Sequence, residues 1–184
     1  MRVIAGSARR TPLVAPKGMT TRPTGDKIKE TLFNILAPDL YDVAFLDLFA
    51  GSGAIGIEAL SRGAGSAVFI EKDKNAIACI KQNLEKAHLE HLADVRPYDV
   101  LTSLYNLKAE RPFGIVFMDP PYGQGLEKSV LSILSSSDII DEDTIIITEA
   151  DLDTDMSYLN DLGFTAYKIK EYKNSKHVFI RKTQ

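Results

Sequence analysis

Apolar and polar positions change period repeatedly along the chain, and each change marks an element. "RVIAG" and "TPLVAP" predict a short hairpin joined through "SARR". After a loop, "MTTRPT", the run "DKIKETLFNIL" sets Ile28, Leu32, Ile35 and Leu36 on one helical face, with Thr24 as its N-cap. Strands and helices then alternate. "AFLDLF" is an apolar strand, "AIGIEALSR" a helix closed by Gly63, and "AVFIEK" a strand. "KNAIACIKQNLEKA" is a helix with Ile77, Ile80 and Leu84 inward, and "DVRPY" a weak strand because Pro97 interrupts it. "LTSLYNLK" is a helix, "FGIVFMD" a strand, "LEKSVLSILS" a helix, "DTIIITEA" a strand and "MSYLNDLG" a helix. "TAYKIKEY" and "KHVFIRK" close the chain as a hairpin turned by "KNS".

Apolar strands alternating with helices predict an α/β fold, a mostly parallel sheet covered on both faces with an antiparallel hairpin at its end. The 184 residues suffice for one domain, with residues 1–23 as a basic arm and 24–184 as the core. No apolar run reaches the ~20 residues of a membrane span. The first ten residues lack the apolar core of a signal peptide, and the single cysteine, Cys79, has no internal partner. A cytoplasmic, monomeric protein is the expectation. The net charge of −3 is uneven. Residues 1–36 carry Arg2, Arg9, Arg10, Lys17, Arg22, Lys27 and Lys29 against Asp26 and Glu30, a head of +5 on a body of −8. Such a head suits a polyanion, or is a solvated hairpin.

Ligands of such sheets bind at the carboxyl ends of the strands, so the residues there carry the functional information. The first strand runs into "DLFAGSGAIG", in which Gly51, Gly53 and Gly56 form G-x-G-x-x-G, and Glu71 ends the next strand. This pattern fits a dinucleotide site. Asp47, at the mouth of the same turn, separates the readings, because a carboxylate there disfavours a pyrophosphate and favours a ligand with an ammonium group. S-adenosylmethionine has that group, a ribose diol for Glu71, and no phosphate. Asp99 ends the third strand and is placed to accept from an adenine amino group.

The fourth strand ends in "DPPY". An exocyclic amino group on a nucleobase is a poor nucleophile, since its lone pair is delocalised into the ring. Acceptors for both of its N–H groups draw the nitrogen toward tetrahedral geometry. Asp119 supplies one acceptor, the Pro120 carbonyl a second, and Pro120 with Pro121 stiffens the chain that holds them. Tyr122 offers a face for stacking.

With these motifs "TRPTGDKIKETLFNIL", "FLDLFAGSGAIGIEAL", "FIEKD" and "MDPPY" the chain resembles, over nearly its whole length, the bacterial guanine-N2 methyltransferases of small-subunit (16S) ribosomal RNA. The resemblance implies a Rossmann-like class I methyltransferase with seven strands and S-adenosylmethionine as cofactor. It implies cofactor contacts from Asp47, Phe49, Gly51, Ser52, Gly53, Glu71, Lys72, Asp99 and Val100. Asp119, Pro120, Pro121 and Tyr122 would hold the base, and Arg9, Arg10, Arg22 and Thr24 would meet rRNA, within an assembled or partly assembled small subunit. "SARR" lacks the glycine-arginine pair usual in the family's hairpin, and "YKNSKHVF" lacks the usual glycine of the last turn. The DPPY and glycine motifs also occur in adenine-N6 DNA methyltransferases, although 184 residues leave no evident target-recognition domain. A NAD-dependent oxidoreductase and a non-enzymatic rRNA-binding assembly factor are the readings from other classes. His88 and His91 lie in a polar helix end without a cysteine partner, so no metal is expected. The lysines near the C-terminus protect an edge strand or meet phosphate.

Overall fold

The computed structural model describes residues 1–16, 25–121 and 123–183; Arg22, Thr24 and Tyr122 lie outside them. Its elements are helix α1 (Asp26–Leu36), strand β1 (Ala44–Leu48), α2 (Ala54–Ser61), β2 (Ser66–Ile70), α3 (Lys74–Ala87), β3 (Ala93–Arg96) and α4 (Val100–Asn106). Then come β4 (Ile115–Met118), α5 (Leu126–Ser135), β5 (Ile145–Ala150), β6 (Phe164–Glu171) and β7 (Lys176–Lys182). The sheet runs in the order β3-β2-β1-β4-β5-β7-β6. β1 to β5 are parallel, and β7 lies antiparallel to both β5 and β6. The chain builds outward from β1 through β2 to β3, then crosses back to lay β4 on the other side of β1. That reversal is the topological switch point, and it falls between the strands that end in Asp47 and Asp119.

Every residue of β1, β4 and β5 is buried, as expected of strands covered on both faces. Alternation divides the core in two. Phe45, Phe69, Phe117, Ile147 and Phe179 pack with α1, α2 and α3 on one face, and Leu46, Ile70, Met118, Ile146 and Val178 pack with α4 and α5 on the other. No helix among the described residues is long and apolar enough to cross a membrane.

Five expectations change. The N-terminal hairpin is short, a single antiparallel bridge, Arg2 to Pro12, flanked by Val3 N donating to the Thr11 carbonyl at 3.0 Å and Leu13 N to the Met1 carbonyl at 3.1 Å, because the Ile4, Ala5 and Ala8 amides turn to Glu58 and Ser61 of α2. The N-cap of α1 is Gly25, without a side-chain cap, rather than Thr24. The buried face of α1 is Lys29, Leu32, Phe33 and Leu36, rotated from the predicted stripe, and Ile77 of α3 is only half-buried. Residues Ser157–Leu162 form a 3-10 helix, not an α-helix. His88 ends α3 in the left-handed region. On the edge strand β6, Lys168 and Lys170 are exposed, which suits edge protection.

Candidate active site

The turn after β1 is built by strain and close approach. Phe49 has φ 61, a conformation that a bulky residue adopts only when its surroundings enforce it. Gly51 (φ 55) and Gly53 (φ 75) continue in the left-handed region, and Gly53 starts α2. At Gly56 a Cβ would meet Phe69 Cε1 at 2.3 Å, so this glycine lets α2 rest directly on the sheet. A Cβ on Gly51 would meet only the Phe49 carbonyl oxygen, at 4.0 Å, which leaves its outer side open to a ligand. Ser52 is anchored from below, its carbonyl accepting from Asn83 Nδ2 at 2.9 Å.

Asp47 is 2% exposed, and its Oδ2 accepts from the Gly56 amide at 2.9 Å. Burial is the main force on its pKa, which rises to about 7 although the Gly56 amide pulls it down; Glu71 pushes in the same direction as burial. One amide of the first turn of α2 is thus taken by a carboxylate, at the place where a pyrophosphate would need donors and no competing charge. Glu71 is buried and accepts from three backbone amides: Oε2 from Gly51 N at 2.8 Å, and Oε1 from Lys72 N at 2.8 Å and Asp73 N at 2.9 Å. It joins the glycine turn to the end of β2. Asp99 caps α4, Oδ1 accepting from Leu101 N at 3.0 Å, while Oδ2 lies 3.9 Å from Lys72 Nζ. Val100 is the first, buried residue of α4.

Asp119 follows β4 directly, with Pro120 buried and Pro121 exposed. Burial raises its pKa to about 7, helped by the charges of Glu149 and then Asp47. The predicted cofactor acid and the predicted base-holding acid therefore stand within electrostatic reach of each other across the switch point. Glu149, near the end of β5, belongs to the same group. Its Oε2 is 3.2 Å from His177 Nε2, and His177 Nδ1 is 3.1 Å from the Tyr172 hydroxyl. Neither Glu149 nor His177 was predicted. An acid closing the apolar run "IIITE" is the same signal as Asp47 and Asp119, and it could have revealed Glu149.

The N-terminal segment docks on α2. Glu58, fully buried, accepts from Ile4 N at 2.8 Å and Ala5 N at 3.0 Å, and pairs with Lys29 Nζ at 3.0 Å and Arg62 Nε at 2.7 Å. Burial raises the Glu58 pKa, but the Ile4 amide, Arg62 and Lys29 outweigh it and hold the pKa below its ordinary value. Gly6 is pressed so closely on Ser61 that a Cβ would fall 1.7 Å from the Ser61 carbonyl oxygen. The basic head is smaller than its formula, since Lys29 is neutralised inside by Glu58; the pairing of Arg2 with Asp26 at 3.3 Å is already counted in the +5. Arg9 and Arg10 are exposed, but they sit beside Ser61 at the C-terminal end of α2. That is roughly 12 Å, one helix length, from the glycine turn.

The model of the family described as "Conserved hypothetical protein 95" matches residues 1–181. The chain belongs to this family. Among its relatives, YlbH of Bacillus subtilis, to which rRNA methyltransferase activity has been ascribed, is 40% identical over 157 residues, covering 85% of each chain. Ribosomal RNA small subunit methyltransferase D of Haemophilus influenzae is 38% identical over 157 residues, covering 83% of this chain and 80% of the relative. Among solved structures, the Thermus thermophilus protein TTHA0928 superposes with a TM-score of 0.81 at 28% identity, covering 97% of this chain and 98% of that one. The seven-stranded sheet with its reversed last strands is the class I methyltransferase fold. Family members thus share the architecture that brings the β1 and β4 ends together.

Proposed function

We propose that this protein transfers a methyl group from S-adenosylmethionine to the exocyclic N2 amino group of a guanine in small-subunit rRNA. The observation that carries the reading is the pair of acids, buried Asp47 and half-buried Asp119, at the ends of the two strands that flank the switch point. Asp47 beside an open glycine turn fits a ligand bearing an ammonium group and rejects a pyrophosphate. Asp119 with the proline-stiffened Pro120 carbonyl fits an aromatic amine. The family relatives named as rRNA methyltransferases support RNA as the substrate.

Bound S-adenosylmethionine supplies an activated methyl group on a sulfonium. The chain does the rest. Asp47 meets the ammonium group, Glu71 the ribose hydroxyls, and Asp99 the adenine amino group; Phe49, Ser52, Lys72 and Val100 frame the same cleft. Ionised Asp119 accepts one N–H of the target amine and the Pro120 carbonyl the other, which directs the nitrogen lone pair away from the ring. Tyr122, assigned from its place in the motif, stacks on the base. After transfer the amine gives up one proton, and Asp119 or water accepts it. Arg9, Arg10 and Arg22 hold phosphates flanking the target, which supplies affinity without reading sequence.

The test is methyl transfer to small subunits purified from a strain lacking the protein, followed by nucleoside analysis. N2-methylguanosine is the expected product. N6-methyladenine would overturn the base assignment and leave the amine clamp standing.

A further inference from the structure

We propose that Glu149 selects guanine by accepting the ring N1–H beside the amino group held by Asp119, an inference that rests on the guanine reading above.

The register places it there. Met118 of β4 pairs with Thr148 of β5, so Asp119 and Glu149 come side by side one residue further along. Glu149 in turn pairs with His177 of β7. One level down, Phe117, Ile147 and Phe179 form a row on the face covered by α1, α2 and α3, and Asp47 pairs with Phe117 in that row. By alternation Asp119, Glu149 and His177 rise on the same face as Asp47. Glu149 is 7% exposed. A carboxylate can only accept, so His177 Nε2 carries the ring proton toward it and Nδ1 accepts from the Tyr172 hydroxyl. Phe117 meets the His177 ring edge-on at 6.0 Å. A buried acid is thus held from the far side by two residues of the closing hairpin, next to the acid that takes the amine.

The chemistry of the bases turns that second acid into a selector. Guanine, adenine and cytosine all offer an exocyclic amine to Asp119. In adenine and cytosine the ring nitrogen beside the amino carbon bears a lone pair, whereas guanine N1 bears a hydrogen. A carboxylate next to the clamp attracts the N1–H and repels the lone pair, and a site built around a hydrogen bond rejects strongly the analogue that lacks it.

The experiment is a cycle. Once the modified position is mapped, small subunits are assembled with rRNA carrying either guanine or 2-aminopurine there; the latter keeps the amine, replaces N1–H by a lone pair and lacks the C6 oxygen, a change that the cycle with Glu149 variants cancels. kcat/KM is measured for the wild type, Glu149→Leu and Glu149→Gln, with thermal unfolding confirming that each is folded. The wild type is expected to lose about 10²-fold on 2-aminopurine, the worth of one hydrogen bond to a charged group. Glu149→Leu should lose a similar factor on guanine and little more on 2-aminopurine. Glu149→Gln, whose amide can donate to the lone pair, should narrow the guanine preference and carries the test if Glu149→Leu does not fold. Additive losses, with Glu149→Gln leaving the preference intact, would overturn the role of Glu149 while guanine methylation stands. Mapping to a base other than guanine would instead overturn the reading on which it rests.

Discussion

The two halves of the strand-end cleft hold their carboxylates in different ways. At β1 to β3 the partners are backbone amides of the strand-end turns: Gly56 for Asp47, Gly51, Lys72 and Asp73 for Glu71, Leu101 for Asp99. These acids shape the turns that carry them. At β5, Glu149 is held by the side chain of His177, 28 residues away on a neighbouring strand. The first half is a self-contained cradle. The second depends on the closing hairpin to orient an acid beside the reacting group, so substitutions in the two halves should fail differently.

The largest expected effect lies in the second half. Asp119→Asn should cut single-turnover methyl transfer by about 10²-fold or more, since it removes an acceptor used mainly in the transition state. Titration calorimetry should find cofactor affinity nearly unchanged; a large loss of affinity would dissolve the contrast between the halves.

The next effect sharpens the cost of burying Asp47. Its folded pKa of about 7 lies above the ordinary value of 3.8. Stability from this group is therefore full below about pH 4 and is lost as pH rises through 7, where a buried charge must be carried. Asp47→Asn keeps an acceptor for the Gly56 amide without that charge. It should stabilise the ligand-free protein at pH 8 by on the order of 2–4 kcal/mol, and hardly at all at pH 4, while weakening cofactor binding. Denaturant unfolding at the two pH values checks the sign.

These contrasts also explain what could be read from the chain alone. The helices α3 and α5 match their predicted spans to the residue, because periodicity and end signals agree; Asp73, for example, caps α3 through Asn75 N and Ala76 N. The glycine turn and the DPPY strand end were legible because each is one contiguous stretch. The Glu149–His177–Tyr172 chain was not, since antiparallel register between β5 and β7 has no local signature. The buried Lys29 was overlooked for another reason. It has helical spacing to Leu32, Phe33 and Leu36, but a lysine reads as solvent-facing unless its partner is known, and Glu58 lies on another helix. The arm pairs as a hairpin only over its outer residues, because its Ile4, Ala5 and Ala8 amides are satisfied by Glu58 and Ser61, well away in sequence.

A smaller effect is expected for Glu71→Ala. It frees the Gly51, Lys72 and Asp73 amides together, so cofactor affinity should fall by roughly 1–3 kcal/mol, with a lowered melting temperature. A loss of affinity without loss of stability would mean that Glu71 acts on the ligand alone and does not brace the turn. Smallest is Arg9→Ala with Arg10→Ala. RNA binding should weaken, and its log–log salt slope should flatten by about one unit for each phosphate that the protein no longer neutralises, with cofactor binding and single-turnover chemistry unchanged. Filter binding across a salt series reads both.

A buried acid that waits for a cationic methyl donor should give up its proton when the donor binds, and proton linkage measures this directly. At pH 7 Asp47 stands near its midpoint, with a pKa of about 7. A bound ammonium group would favour the ionised form. Calorimetry of S-adenosylmethionine binding at pH 7, in buffers of different ionisation enthalpy, should show net proton release, abolished in Asp47→Asn and retained in Asp119→Asn, and affinity should rise from pH 6 to pH 8. Binding with no proton release and no pH dependence would contradict the assignment of Asp47 to the cofactor.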